Sequence, residues 1–314
     1  MKYFVIFFLI SFVFATPYWN LEKMENFADS YSLYKDANLK SLSVRYTSFI
    51  RTSYPVDLAN ACEFVADWQL TDSDSVDYGG IIEAETGELR DVIQTDNTQE
   101  SVIIWSIFRN FFNSDIFDSN LTLSLIYINN FPAYNEEIDE YSFYYPVWNS
   151  GLAMLMTKYY TQTYGDSSLL GYGDSCARFV IDSLLPLDTA YPLYNLLHCF
   201  VNSFVAGCLA EYGQFRENDY YIDRAESIAV RSKDWAEMHA DTAYGMPIWA
   251  MSSGTLVWGL IKSYFFHHPD ELDDWIAEFV APYVPDYAPP PDEFDSYIWD
   301  NSWNIWFANG YRAL

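Results

Sequence analysis

The sequence predicts an all-α protein built as a ring of six helical hairpins. Three observations carry that reading. The 314 residues are 51% hydrophobic and 19% aromatic, enough apolar material to fill a large core and too much for a disordered chain. A helical hairpin of about 52 residues recurs along the chain. The two chain ends each supply half of one further hairpin.

Residues 1–15, MKYFVIFFLISFVFA, come first. Lys2 precedes a 12-residue apolar run, Tyr3–Phe14, and Val13 and Ala15 stand at −3 and −1 of a cleavage site before Thr16. The run is too short to span a bilayer, so it reads as a secretory signal peptide. The expectation is an exported protein, extracellular or periplasmic, with residues 16–314 as a single domain and no stable membrane insertion after cleavage.

Next, PYWNLEKMENFADSYSLY (17–34) reads as a helix without a mate. LKSLSVRYTSFIRTSYP (39–55) and PVDLANACEFVADWQ (55–69) form a hairpin, with Pro55 opening its second helix. At about 80–93, alternation around Thr86-Gly87 predicts a small β-hairpin. Four similar segments follow: NTQESVIIWSIFRNFFNSD, NSGLAMLMTKYYTQTYGD, NSFVAGCLAEYGQFREN and SSGTLVWGLIKSYFFHHPD. They turn at Asp115, Asp166, Asn218 and Asp270, spaced by 51, 52 and 52 residues, and start near Asn97, Asn149, Asn202 and Ser252. YAPPPDEF (287–294) is a loop, and NSWNIWFANGYRAL (301–314) is a sixth inner helix.

The first helix of each unit is apolar nearly all round and belongs inside; the second is amphipathic and belongs outside. Pairing 301–314 with 17–34 closes the ring, which then needs no capping repeat. All inner helices then run one way, and the loops entering them form one mouth.

The net charge of −28 repels phosphate, which excludes nucleic-acid binding. Cys62, Cys176, Cys199 and Cys208 sit in apolar helical stretches and read as buried free thiols. The sequence has no His-x-x-x-His pair, Cys/His cluster, 12-residue calcium loop or phosphate loop, so no metal or other cofactor is expected. His198 reads as a core histidine.

Six hairpins closing on themselves resemble the six-hairpin, or (α/α)6-toroid, glycosidase superfamily, which includes glycoside hydrolases, polysaccharide lyases and sugar epimerases. GGIIEAETGELRDVIQTDNTQESVIIW, VWNSG, GYGDSC, WAMSSGT and NSWN are also similar to an uncharacterised group of exported bacterial proteins. The loops entering the inner helices are long and individual, whereas the turns at the other end are shorter and more uniform, so the mouth is the candidate binding face.

There the entering loops carry Trp, Tyr, Asn and acids, a lining that suits the C–H faces and hydroxyls of sugars. Arg90 is their one basic residue, so a neutral glycan, or another small or oligomeric neutral ligand, fits better than a polyuronate. The candidate catalytic residues are Glu100, Asp96 and Asp300. A carboxyl on an inner helix near Trp105 can act as general acid, with Asp300 as base. The competing reading makes Asn97 an N-cap and Glu100 the partner in a capping box. The candidate substrate-binding residues are Trp148, Asn149, Tyr145, Gln99, Trp249, Trp299, Trp303 and Glu83. The predicted function is a secreted carbohydrate-active protein, a glycoside hydrolase if an enzyme. A non-catalytic glycan- or protein-binding module is the alternative, and a lyase or epimerase a weaker one. A monomer is expected.

Overall fold

The computed structural model describes residues 54–85, 88–93, 95–135, 144–186, 196–239 and 246–279. The signal peptide, the 17–34 helix, most of the first inner helix, the proline-rich loop, the sixth inner helix, Trp299, Asp300 and Trp303 lie outside the described residues.

The regular elements among the described residues are helices and one β-hairpin. Helix α1 is Tyr54–Asp67, and strands β1 (Ile82–Glu85) and β2 (Glu88–Ile93) pair antiparallel, Ile82 opposite Ile93. Then come α2 (Thr95–Phe112), α3 (Asp118–Asn130), α4 (Tyr144–Tyr164), α5 (Leu170–Leu184), α6 (Leu196–Phe215), α7 (Asp219–His239), α8 (Met246–Lys262) and α9 (Leu272–Phe279). Short 3-10 turns occupy Ala133–Asn135 and Pro269–Glu271.

The inner and outer roles follow the predicted pattern. In α2, 14 of the 18 residues are buried, whereas α3 buries only Leu121, Ser124, Tyr127 and Ile128. Outer helix α7 buries Tyr221, Ala225, Ile228, Ala229, Ser232, Trp235 and Ala236, a stripe at helical spacing. The repeat is written into the backbone as well. Asn113, Gly165 and Glu217, 52 residues apart, each follow an inner helix with positive φ (50°, 66° and 51°). A left-handed residue there releases the chain from the helix. After α6 the Asn218 N–H closes a six-residue bond to the Gly213 carbonyl at 2.9 Å.

The inner helices begin earlier than the Asn and Ser signals predicted. Helices α4, α6 and α8 start at Tyr144, Leu196 and Met246, so Asn149, Asn202 and Ser252 stand one or more turns inside. Pro146 and Pro247 fall in the first turns of α4 and α8, where a missing N–H loses nothing. Tyr145, Trp148 and Trp249 are therefore helical residues and not loop residues entering a helix.

The chain forms two compact units. One holds α1 to α3 and the last turns of α4, Tyr159–Asp166; the other holds Pro132–Lys158 and the helices from α5 onward. In the first, the Trp105 indole N–H donates to the Cys62 carbonyl at 3.2 Å, tying α2 to α1. Gln69 donates to the Gly79 and Asn120 carbonyls at 3.0 and 2.8 Å and accepts from Asn120 Nδ2 at 2.9 Å, fixing the loop before the β-hairpin. Tyr164 donates to Asp118 at 2.8 Å, and Arg109 pairs with the same carboxylate.

In the second unit, α4, α6 and α8 run side by side in the same direction. Gly151 meets Val205 and Cys208, while Lys158 further along meets Glu211. Ser203 Oγ donates to the Leu256 carbonyl at 2.8 Å, while Lys262 meets Glu211 at 2.8 Å. Each contact joins residues about one repeat apart, so the three helices are parallel and in register. Gly207 and Gly259 let α6 and α8 touch: a Cβ on Gly259 would stand 2.0 Å from the Ser203 carbonyl oxygen. Burial alone would raise the Glu211 carboxyl, but Lys158 and Lys262 together hold it below the usual range. All four cysteines are buried and unbridged.

Candidate functional site

Helix α2 opens with seven consecutive polar residues, Thr95-Asp-Asn-Thr-Gln-Glu-Ser101, and every one is 6% exposed or less. Local contacts explain several of them. Thr98 Oγ1 accepts the Ile81 N–H at 3.1 Å, tying the β-hairpin to the helix start. Ser101 Oγ donates to the Thr98 carbonyl at 2.6 Å and lies 3.1 Å from Ser124 Oγ on α3. Asp96 Oδ1 accepts the Asn97 N–H at 2.7 Å, satisfying one orphan donor of the first turn.

That bond corrects the capping-box reading. Because α2 starts at Thr95, Asn97 is already helical and cannot be the N-cap. Asp96, and not Glu100, serves the Asn97 N–H.

Glu100 takes no part in that cap. Its Oε2 is buried and makes no hydrogen bond, and neither does the neighbouring Asn97 Nδ2. Burial first, and the Asp96 charge second, push the Glu100 carboxyl well above its usual range. Burial and the Asp96 charge one helical turn away thus both favour the protonated form of the Glu100 carboxyl. Leaving a buried polar atom unpaired costs about 1–3 kcal/mol, an expense the fold gains nothing from.

Gln99 is fully buried beside Glu100 on the same turn. Trp148 is 4% exposed, and its ring stacks on Phe204 at 4.1 Å between α4 and α6, so it packs as core within its unit. Asn149 is also buried. Glu83 lies on β1, Tyr145 on α4 and Trp249 on α8. Asp96, Asn97, Gln99 and Glu100 are thus brought together. Trp299, Asp300 and Trp303 lie outside the described residues. His198, near the start of α6, is half-buried, and that burial lowers its pKa.

Two clusters escaped the sequence reading. Lys158, Glu211 and Lys262 form an ion triad across three inner helices. Aligning the repeats would have brought them out, since they fall within one residue of the same repeat position. Glu226 binds both His267 and His268, and no local pattern announces that pairing.

Among the described residues, no group of three or more His, Cys, Asp or Glu side chains can hold a metal ion. An open depression of about 540 Å³ is lined by Arg231, Asp234, Glu237 and Met238. These are outer-helix side chains, and none of the buried inner-helix polar residues lines it. Compared with known proteins, the chain matches no family model, no curated protein and no solved structure.

Proposed function

We propose that the chain is an exported carbohydrate-active enzyme, a glycoside hydrolase on a neutral glycan, built as a six-hairpin (α/α)6 toroid. That ring requires residues 301–314 to pair with 17–34 as its sixth hairpin. The observation that carries the reading is Glu100: a buried carboxyl at the start of an inner helix, its Oε2 without a hydrogen bond and its pKa pushed upward by burial. A general acid must hold its proton at working pH and offer it to a leaving oxygen, and burial supplies that state. Asp96 keeps the proton on Glu100 by like-charge repulsion and orders the helix start. Asp300 is the base or nucleophile of the pair. A neutral ligand fits, because an anion entering beside Asp96 meets repulsion with little Arg to offset it.

The test is reducing-sugar release from a panel of neutral glucans, xylans and mannans. Glu100→Gln lowers turnover by about 10²–10⁴-fold with glycan binding retained. Binding without turnover in the parent would replace this reading with a non-catalytic module. No release and no binding across the panel would overturn both.

A further inference from the structure

Glu226 lies on outer helix α7 and faces the turn between α8 and α9. His267 Nδ1 stands 2.6 Å from Glu226 Oε2, and His268 Nε2 stands 3.2 Å from Oε1. One carboxylate is thus held by two successive imidazoles. The other nitrogen of His268 faces Glu271 Oε1 at 3.7 Å. Tyr264, from the turn that follows α8, stacks on the His268 ring at 4.4 Å and donates to Glu271 Oε2 at 2.8 Å. From α7, Lys233 stands 5.1 Å above the Tyr264 ring and pairs with Glu237 at 2.7 Å. The titratable and charged groups around the two imidazoles are therefore Glu226, Lys233 and Glu237 on α7, Tyr264 just after α8, and Glu271 in the 3-10 turn.

A neutral imidazole has one N–H and one bare nitrogen. His268 has a carboxylate on each side, so the neutral ring must turn a lone pair toward one of them. The imidazolium has no such conflict. Protonation also makes the bonds to Glu226 charge-assisted, roughly twice as strong as neutral ones. We propose that Glu226, His267 and His268 form a pH-gated clasp that fastens the α8–α9 turn to α7 in mild acid and slackens it above neutral pH.

The window has two edges. Burial alone would raise the Glu226 carboxyl, but the two histidines hold it below the usual range. Its contribution is therefore present above the ordinary glutamate value of ~4.3 and is lost as pH falls through the lower folded value. The charge-assisted contribution is present only while the imidazoles carry their second proton, and it fades as rising pH removes that proton. The clasp is strongest between those edges.

The experiment is hydrogen exchange of the Tyr264–Leu272 amides in the full chain, corrected for intrinsic rate, with thermal melting alongside. In the parent, protection of these amides falls about tenfold between about pH 5.5 and about pH 8, as the charge-assisted bonds to Glu226 are replaced by neutral ones. His267→Gln with His268→Gln removes that difference and lowers the melting temperature at the acid pH only. Glu226→Gln, which keeps the side-chain shape, does the same and serves if the double variant fails to fold. Protection that does not change with pH in the parent, or variants that lower melting equally at both pH values, would overturn the clasp.

Discussion

Glu100 is costly to keep, and that cost is measurable. Its folded-state pKa lies above the unfolded value because burial and Asp96 disfavour the charge. For a group shifted upward, the stability contribution is intact below the unfolded value and is lost as pH rises through the folded value. Glu100→Gln should therefore melt higher than the parent above neutral pH and match it near ~pH 4, the ordinary carboxylate range. The gain expected is about 1 kcal/mol or more, as for other sites where function opposes stability. If the Glu100→Gln variant melts lower at every pH, the carboxyl has a structural partner. The sequence marked Asp96, Gln99 and Glu100 as one cluster, but it could not separate cap from acid. The deciding fact was the helix start at Thr95, two residues before Asn97. Trp148 illustrates the opposite limit: an aromatic beside a predicted mouth reads the same whether it faces a ligand or, as here, stacks on Phe204.

At the level of elements, the repeat was legible because each inner helix is apolar over most of its surface and each turn ends on an acid or amide. The helix starts were not, because buried Asn-Ser and Asn-Thr pairs look like caps when read locally. Pro146 and Pro247 were the better signals. Two predictions belong here. Gly259→Ala should destabilise by about 2–4 kcal/mol, since the new Cβ meets the Ser203 backbone and α6 and α8 must part. Gly171→Ala, in α5 with nothing within 4 Å of the added carbon, should be neutral or stabilising by up to ~1 kcal/mol. Equal losses at both sites in denaturant melts would contradict the close packing of α6 on α8. The turns offer a second check. Glu217 holds a left-handed conformation that Gly165 adopts without strain one repeat earlier. Glu217→Gly should accordingly stabilise by about 1 kcal/mol, and Gly165→Ala should cost about 1–2 kcal/mol, both read from denaturant melts.

For the whole molecule, charge and closure dominate. A chain of net charge −28 repels itself when folded, and salt screens that repulsion. The melting temperature should therefore rise between about 0.05 and 0.5 M sodium chloride, where the Debye length shrinks from above ~10 Å toward a few ångströms. A fall would show that the ion pairs, among them Glu211 with its two lysines, outweigh the repulsion. The parallel register of α4, α6 and α8 sets the starts of these three helices at one end of their unit, and the proposed ring predicts that Asp300 stands near Glu100. The most direct test is the distance between the Glu100 and Asp300 carboxyls, measured in crystals of the protein. A glycosidase pair predicts a separation of roughly 5–9.5 Å across an open cleft. Carboxyls farther apart than about twice that range, with no cleft between them, would contradict the proposed site.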